Sequence, residues 1–156
     1  INVYDYVTAN NYYNEDHYWI SIRDIGKEDY FTPGENTLVL VFDDTDPFRV
    51  YNGLVHEYYA SQYRKRNPVY FTREMSHKCF DIARYAHSQR KDLNIHCFAG
   101  MSRSQAVAYV LNIYINKIVE DNDKDFTRNI VNSLNRQMVN PMVLNIMTET
   151  MIGIKE

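Results

Sequence analysis

The chain has 156 residues, a length within the range of one domain with a single hydrophobic core. Hydrophobic residues make up 45% of it and charged residues 24%, and both fractions are ordinary for a globular protein. The formal net charge of −3 argues against a broad basic surface for nucleic acid, and no run of about 18 apolar residues is present that could span a membrane.

The first part of the chain predicts three strands. In the polar and aromatic opening, which extends to about Asp16, only Asn2–Tyr4 resembles a strand, at the edge of a sheet. Residues 18–22 are a second candidate. Residues 37–42 are nearly all apolar, which predicts a strand buried on both faces of a parallel sheet. The segment that follows is ambiguous, with a short helix expected over residues 52–62.

Helical spacing becomes clear in the middle of the chain. Thr72 is suited to cap a helix over residues 73–90. One face of that helix is apolar and consists of Met75, Cys79, Ile82, Ala83 and Ala86. Apolar and polar residues then alternate over residues 93–95, which predicts a short strand.

The C-terminal part predicts three more helices. The first begins just after Arg103, because apolar residues recur there at helical spacing. These residues are Ala106, Val107, Val110, Leu111, Tyr114, Ile115 and Ile118. After a polar break at residues 120–124, helices are expected over residues 125–137 and 141–152, the last with Asn140 as its cap and a proline in its first turn.

This order of elements predicts the fold class. Strands that alternate with helices indicate an α/β fold, in which a central, mostly parallel sheet is flanked by helices on both faces. No internal repeat, low-complexity segment or linker interrupts the sequence, so we expect a single domain over residues 1–156.

Residues 96–104 read His-Cys-Phe-Ala-Gly-Met-Ser-Arg-Ser and point to phosphate-ester chemistry. Five residues separate Cys97 from Arg103, enough to curl into a loop whose backbone N–H groups point inward and bind an anion. Arg103 can hold two phosphate oxygens with its planar fork of donors, while Gly100 lets the main chain approach the ligand. The inward dipoles and the guanidinium favour a thiolate at Cys97. The helix that follows directs its positive end at the same anion.

The His-Cys-x5-Arg-Ser pattern resembles the signature of the Cys-based protein tyrosine phosphatases. The order of motifs is similar to that of compact dual-specificity phosphatases and of small tyrosine-phosphatase-like proteins of bacteria and phages. The resemblance implies a dual-specificity-phosphatase-like fold and hydrolysis through a cysteinyl-phosphate, with no metal or other cofactor. It implies that backbone amides of the loop bind phosphate, or a sulfate in its place; the loop residues are Phe98, Ala99, Gly100, Met101, Ser102 and Arg103.

The resemblance also suggests roles for the residues around the nucleophile. It implies that His96 is buried and supports the loop, and that the Ser104 hydroxyl hydrogen-bonds the departing sulfur. Ser102 is expected to brace the loop as well.

A general acid is the second requirement, because the leaving oxygen must be protonated. The resemblance places an Asp in a loop just past a buried strand, and Asp43, Asp44 and Asp46 follow the strand at residues 37–42. We favour Asp44, since strand alternation should turn Asp43 and Asp44 to opposite sides. Asp46 and then Asp43 are the alternatives, and a strand-terminating turn rich in Asp with no catalytic role also stays open.

The predicted enzyme is a phosphatase that acts on phosphotyrosine in a protein substrate, with phosphoserine or phosphothreonine as further substrates. The loop interior carries no lysine, which weakens a polyanionic inositol phosphate as substrate, and no basic channel for an RNA 5′-phosphate is evident. Both remain alternatives, as does an idle phosphate-binding module.

The remaining cysteine and histidines fit structural roles. A thiolate enzyme needs reducing conditions, and two cysteines form no disulfide framework, so we expect a cytoplasmic protein. Cys79 is expected to be a core thiol rather than a partner for an oxidised Cys97. Four histidines lack metal-ligand spacing: His17, His56, His77 and His87.

Overall fold

The computed structural model describes residues 1–27, 30–44, 68–98, 100, 102–119 and 139–155. Within them lie four strands: β1 (Asn2–Tyr4), β2 (Tyr18–Arg23), β3 (Thr37–Val41) and β4 (Leu93–His96). The helices described are α1 (Tyr6–Tyr12), α2 (Arg73–Ser88), α3 (Arg103–Tyr114) and α4 (Pro141–Lys155), and a π-helical turn at Ile115–Val119 extends α3. None of the described helices is long and apolar enough to cross a bilayer.

The described strands form one parallel sheet in the order β1-β4-β2-β3. Tyr4 pairs with His96, and His96 pairs in turn with Ser21 of β2. Because all four strands run the same way, their carboxyl ends meet at one edge, where open α/β sheets place ligands. The α/β fold with a parallel sheet is confirmed, and the loop after β4 follows an interior strand of the described sheet.

One face of the sheet packs against α2 and α3, and α4 packs on these two helices. Alternate residues of β2 and β4, such as Ile20 and Ile95, are fully buried against these helices. The core that they share consists mainly of Ile20, Ile22, Leu93, Ile95, Cys79, Phe80, Ala83, Val107, Val110, Leu111, Val143 and Met147. This apolar layer holds β4, and therefore the loop after it, in a fixed place.

The opposite face carries the other half of the alternation, and it is more polar. Ser21 and His96 are both fully buried on this side, beside Trp19. Aromatic rings from the end of α1 and from the segment after β2 cover them: Tyr13 stacks on Phe31 at 4.3 Å between ring centroids. Helix α1 and the segment after β2 thus form a second layer. This layer buries Ser21 and His96, and His96 directly precedes the loop after β4.

Helix α1 is absent from the sequence prediction, which expected only β1 in this region. Asp5 caps it, because the Asp5 carboxylate accepts a hydrogen bond from the Thr8 N–H at 2.7 Å. Only Ala9 of its seven residues is buried, so the helix shows no apolar stripe. Without that stripe, periodicity could not reveal it.

The prediction that β3 is buried on both faces is wrong. Val39 is 37% exposed and Val41 is 40% exposed, whereas Leu40 faces the core and is 4% exposed. Helix α2 packs on the Leu40 face of β3, and the described residues leave the opposite face partly exposed. A continuous apolar run therefore did not distinguish an interior strand from this one.

The helix predictions for α2 and α4 are confirmed. Thr72 caps α2 by accepting the Met75 N–H at 3.2 Å, and the predicted face with Cys79 is the buried one. Asn140 caps α4, since its side-chain oxygen accepts the Val143 N–H at 3.1 Å. The helices predicted over residues 52–62 and 125–137 lie outside the described residues.

Candidate active site

The loop after β4 is shaped by a tight approach to the start of the chain. Gly100 has φ +70°, and a Cβ on it would lie 2.9 Å from backbone atoms of Tyr4 and Asp5. A glycine is therefore required at this position on both conformational and steric grounds. The Phe98 carbonyl accepts the Tyr6 N–H at 3.1 Å, which joins the loop to the first turn of α1.

Cys97 lies at the floor of this loop and is 2% exposed. Two groups approach its sulfur: the Gly100 N–H donates to Sγ at 3.2 Å, and the Ser104 hydroxyl lies 3.1 Å away. Helix α3 begins at Arg103, so its positive end lies next to the same sulfur. Donors and a helix N-terminus around a sulfur stabilise its anionic form.

Arg103 is held by two partners on neighbouring strands. Its Nη1 donates to the Phe42 carbonyl at 2.7 Å, and its Nη2 lies 2.8 Å from an Asp24 carboxylate oxygen. Burial lowers the pKa of Arg103, but the negative charges of Asp24 and Cys97 outweigh it and raise the pKa overall. The guanidinium is therefore always charged.

One donor of Arg103 stands out. Its Nε is buried and has no hydrogen-bond partner within the part of the chain that the structure describes. An unpaired donor on a guanidinium that is 3% exposed is costly, unless a ligand meets it. An anion held in the loop would supply that partner.

Asp24 is a site residue that the sequence analysis missed. It follows directly after β2, and its ion pair with Arg103 fixes the orientation of the guanidinium. A signal was present, because the carboxyl end of β2 shares an edge with that of β4. Once the neighbouring strands are known, an acidic residue at that position is a candidate partner for the loop arginine.

Asp44 lies beside the loop and is tied to it by hydrogen bonds. The Ser102 hydroxyl and the Asn140 side-chain amide both donate to its Oδ1 at 2.8 Å. Asn140 also donates its backbone N–H to the Ser102 carbonyl at 3.3 Å, so the start of α4 joins both elements. The sequence analysis identified Asn140 only as a helix cap.

The other two candidate acids are placed differently. Asp43 is 8% exposed, and its carboxylate accepts the Val69 N–H at 2.7 Å. Its own N–H donates to the Val69 carbonyl at 2.8 Å, so Asp43 anchors the segment that precedes α2. Asp46 lies outside the described residues, as do the loop residues Ala99 and Met101.

His96 is fully buried behind the loop. Its Nε2 lies 2.6 Å from the Ser21 hydroxyl, and its Nδ1 lies 3.4 Å from the Cys97 carbonyl oxygen. Burial, with the nearby positive charges of Arg23 and Arg103, lowers the pKa of His96 to about 4 against the opposing effect of the hydrogen bond to the Cys97 carbonyl. His96 is therefore neutral at neutral pH.

We expect the lowered pKa of His96 to make the fold sensitive to acid. An unfolded chain protonates this histidine near its ordinary pKa of 6.5, whereas the folded chain does so only near 4. The unfolded state thus binds more protons between these values, and the free energy of unfolding falls as the pH drops through them. The fall is up to about 3 kcal/mol, because each pKa unit corresponds to about 1.4 kcal/mol.

Denaturant unfolding at several pH values between 4 and 7 measures this effect. The variant His96→Gln has no titrating group at this site, so its stability should decline less steeply than that of the wild type over the same range. Parallel slopes for the two proteins would contradict the assignment.

The mouth of the site is aromatic. Phe98, next to Cys97 in the chain, is 41% exposed and stacks on Tyr6 with 4.7 Å between ring centroids and 11° between planes. The Lys27 ammonium lies over the same ring, 4.5 Å from the Phe98 ring centroid. The rim therefore combines a flat apolar surface with a positive charge.

The structure offers little elsewhere for metal or thiol chemistry. Within the described ranges, no three His, Cys, Asp or Glu side chains converge as metal ligands would. Cys79 is fully buried, and burial raises the pKa of its thiol far above the usual range. That placement agrees with the expected core thiol.

No protein-family model matches the sequence, and no curated protein matches it significantly. Solved structures do match. A human tyrosine phosphatase-like serine/threonine/tyrosine-interacting protein superposes with a TM-score of 0.58 over 99% of this chain and 92% of its own, at 16% sequence identity. PTPMT1, solved in complex with PI(5)P, gives a TM-score of 0.52 at 15% identity, over 95% of this chain and 85% of that chain.

Proposed function

We propose that this chain, which has the fold of the Cys-based tyrosine and dual-specificity phosphatases, hydrolyses phosphate monoesters through a cysteinyl-phosphate intermediate. One observation carries the proposal. The Cys97 sulfur, with the Gly100 N–H and the Ser104 hydroxyl on it, shares a loop with Arg103, whose buried Nε lacks a partner among the described residues. A phosphate monoester would offer its phosphorus atom to the sulfur and an oxygen acceptor to the unpaired Nε–H of the guanidinium.

In the first step, the Cys97 thiolate attacks phosphorus in line with the leaving oxygen. The S–P bond forms as the P–O bond breaks, and Asp44 transfers its proton to the leaving oxygen. The hydrogen bonds from Ser102 and Asn140 both fall on Oδ1 of Asp44, which supports Oδ2 as the oxygen that carries the proton. Arg103 and the amides of residues 98–103 stabilise the equatorial oxygens.

In the second step, water attacks the phosphocysteine and gives its proton to the ionised Asp44. The S–P bond breaks, and the Cys97 sulfur leaves as a thiolate. The Ser104 hydroxyl, 3.1 Å from Sγ, donates a hydrogen bond to the sulfur as its charge develops. Inorganic phosphate is released, and the enzyme returns to its starting state.

We propose phosphotyrosine in a protein as the preferred substrate, with phosphoserine or phosphothreonine as slower ones. The exposed ring of Phe98 and its stacking partner Tyr6 offer an aryl ring a flat surface beside the nucleophile. The loop interior, Phe98 to Ser102, has no lysine to meet the further phosphates of an inositol lipid. The inositol phosphate and RNA alternatives, and an idle binding module, are outcomes of the test below.

A substrate panel tests the proposal. Release of phosphate is measured from a phosphotyrosine peptide, a phosphoserine peptide, a soluble inositol phosphate and triphosphorylated RNA. We expect the largest kcat/KM for the phosphotyrosine peptide. A larger value for inositol phosphate or RNA would replace the substrate class and keep the chemistry. Tight binding of phosphopeptide with no turnover of any substrate would favour the binding module.

We expect activity to persist in excess chelator and to be inhibited by vanadate. Vanadate adopts the five-coordinate geometry of the transition state and can bond to the Cys97 sulfur within the loop. Steady-state rates with and without each reagent provide the measurement. Loss of activity in chelator that zinc or magnesium restores would instead indicate a metal-dependent hydrolase.

The Asp44→Asn variant should lose activity in proportion to the difficulty of the leaving group. For a phosphotyrosine peptide we expect kcat to fall on the order of 100-fold, since a positioned acid contributes at least that much. The fall in kcat should be much smaller for an aryl phosphate whose phenolate leaves without protonation. The decline of activity at high pH, which reports deprotonation of the acid, should also flatten. The Asn side chain can still accept the hydrogen bonds from Ser102 and Asn140, which keeps the loop in place.

Parallel Asp43→Asn and Asp46→Asn variants are the controls for this assignment. If the leaving-group dependence appears in Asp46→Asn and not in Asp44→Asn, the acid is Asp46. If it appears in none of the three, the acid lies elsewhere in the chain.

A further inference from the structure

A chain of hydrogen bonds leads from a cation to the back of the active loop. Arg23 donates from Nε to the Ser21 hydroxyl oxygen at 2.8 Å. The Ser21 hydroxyl lies 2.6 Å from His96 Nε2, and the other ring nitrogen of His96 faces the Cys97 carbonyl. Ser21 and His96 are both 0% exposed, so bulk solvent does not reach the hydrogen bond between them.

Arg23 itself is firmly held. Its Nη2 donates to the Phe31 carbonyl at 2.8 Å, and its guanidinium carbon lies 5.1 Å from the Tyr30 ring centroid and 5.3 Å from that of Phe31. The Tyr30 and Phe31 rings also contact the His96 ring, at 5.7 and 5.5 Å between centroids. The same two aromatic rings therefore contact both Arg23 and His96.

The chemistry of these groups determines which atom donates and which accepts in each of these hydrogen bonds. The Cys97 carbonyl can only accept, so His96 Nδ1 carries the proton, and Nε2 of the neutral ring is then an acceptor. The Ser21 hydroxyl must donate to Nε2, and its oxygen accepts from Arg23. A cationic donor on that oxygen strengthens the hydroxyl as a donor.

We propose that Ser21 and Arg23 are positioning residues that hold His96 in the Nδ1-protonated form and thereby fix the Cys97 carbonyl outside the loop. With this carbonyl turned toward His96, the Phe98 N–H of the same trans peptide points the opposite way. The Gly100 N–H, two residues on, donates to the sulfur. If Nδ1 lost its proton, its lone pair would oppose the carbonyl oxygen, and this peptide would tilt. The inference rests on the proposed role of Cys97 as nucleophile.

The charged groups that face His96 all favour this arrangement. The positive charges of Arg23 and Arg103 both disfavour a second proton on the ring. The Asp24 carboxylate is paired with Arg103 and lies 3.4 Å from the Tyr30 hydroxyl through its Oδ2. A neutral, singly protonated imidazole is the form that this environment selects.

Nitrogen-15 NMR of the labelled full-length protein at pH 7 tests the tautomer directly, with His96→Gln used to assign the His96 signals. We expect the wild type to carry its proton on Nδ1. In Arg23→Met, where the hydroxyl loses its cationic partner, the Nε2-protonated form should appear. Arg23→Lys retains a cationic donor and should restore the wild-type pattern.

The second readout is alkylation of Cys97 by iodoacetamide as a function of pH. In Ser21→Ala, the pH at which the rate is half-maximal should rise by about one unit, and kcat should fall on the order of ten-fold, a typical effect of removing a supporting hydrogen bond. Ser76→Ala is the matched control, since Ser76 is also 0% exposed and its hydroxyl donates to the Met147 sulfur instead. That variant should retain the wild-type midpoint.

A wild-type proton on Nε2 overturns the proposal, and so does a wild-type alkylation midpoint in both Ser21→Ala and Arg23→Met. Neither measurement requires turnover. If the substrate panel shows no hydrolysis, the tautomer and the alkylation midpoint still decide this inference independently.

Discussion

We expect that replacing Cys97 with serine abolishes turnover and leaves the chain folded. A serine hydroxyl does not ionise near neutral pH, so the attacking group is lost, while the small change in volume suits a site where Cys97 is 2% exposed. The Gly100 N–H and the Ser104 hydroxyl can still hydrogen-bond the new oxygen. We expect no measurable kcat with a phosphotyrosine peptide, together with retained binding of that peptide by calorimetry.

Cys79→Ala is the matched control for this variant. Cys79 is the other free cysteine and is fully buried in the core, away from the loop. Its loss should lower the free energy of unfolding by about 1 kcal/mol, the order expected for a small cavity, and leave kcat intact. If Cys97→Ser kept more than a few percent of wild-type turnover, with contaminating phosphatase excluded, Cys97 would not be the nucleophile.

The Arg103→Lys variant should lose almost as much activity, although it keeps the positive charge. An ammonium is a point-like donor and cannot hold two phosphate oxygens in the plane of a guanidinium. It also cannot reach the Phe42 carbonyl and the Asp24 carboxylate at once, as Arg103 does at 2.7 and 2.8 Å. We expect kcat to fall on the order of 100-fold or more, in the range seen on removal of a transition-state donor.

The exposed Arg84→Lys variant is the control for the change of side chain. Arg84 pairs with Asp81 on the surface of α2 at 3.0 Å, and pairs of this kind contribute little. Its kinetics should match those of the wild type. A near-normal kcat in Arg103→Lys would mean that Arg103 does not bind phosphate in the loop as proposed.

Local sequence was sufficient to predict the loop and the helices that carry an apolar face. Cys97, Arg103 and Ser104 lie within eight consecutive residues, so chain geometry alone brings them into one loop. The apolar stripe of α2 and the caps Thr72 and Asn140 are likewise set by neighbours three or four residues away. Periodicity failed at α1, where one buried residue leaves no stripe to detect.

Strand burial depends on position in the sheet, which sequence does not encode locally. The run at residues 37–42 has the composition of a strand buried on both faces, yet Val39 and Val41 are exposed and Leu40 is buried. Composition reports how apolar a strand is, and the packing of distant segments on the sheet decides how many of its faces are covered.

The sequence by itself determined which groups meet in the loop, because a thiol, an arginine and small residues are separated by only a few positions. Only the tertiary structure decided which groups orient them. Asp24 reaches Arg103 across β2 and β4, Asn140 reaches Asp44 over 96 positions, and Ser21 reaches His96 over 75. Such contacts arise where the carboxyl ends of parallel strands meet, and burial there forces each polar group to find a partner far away in the chain.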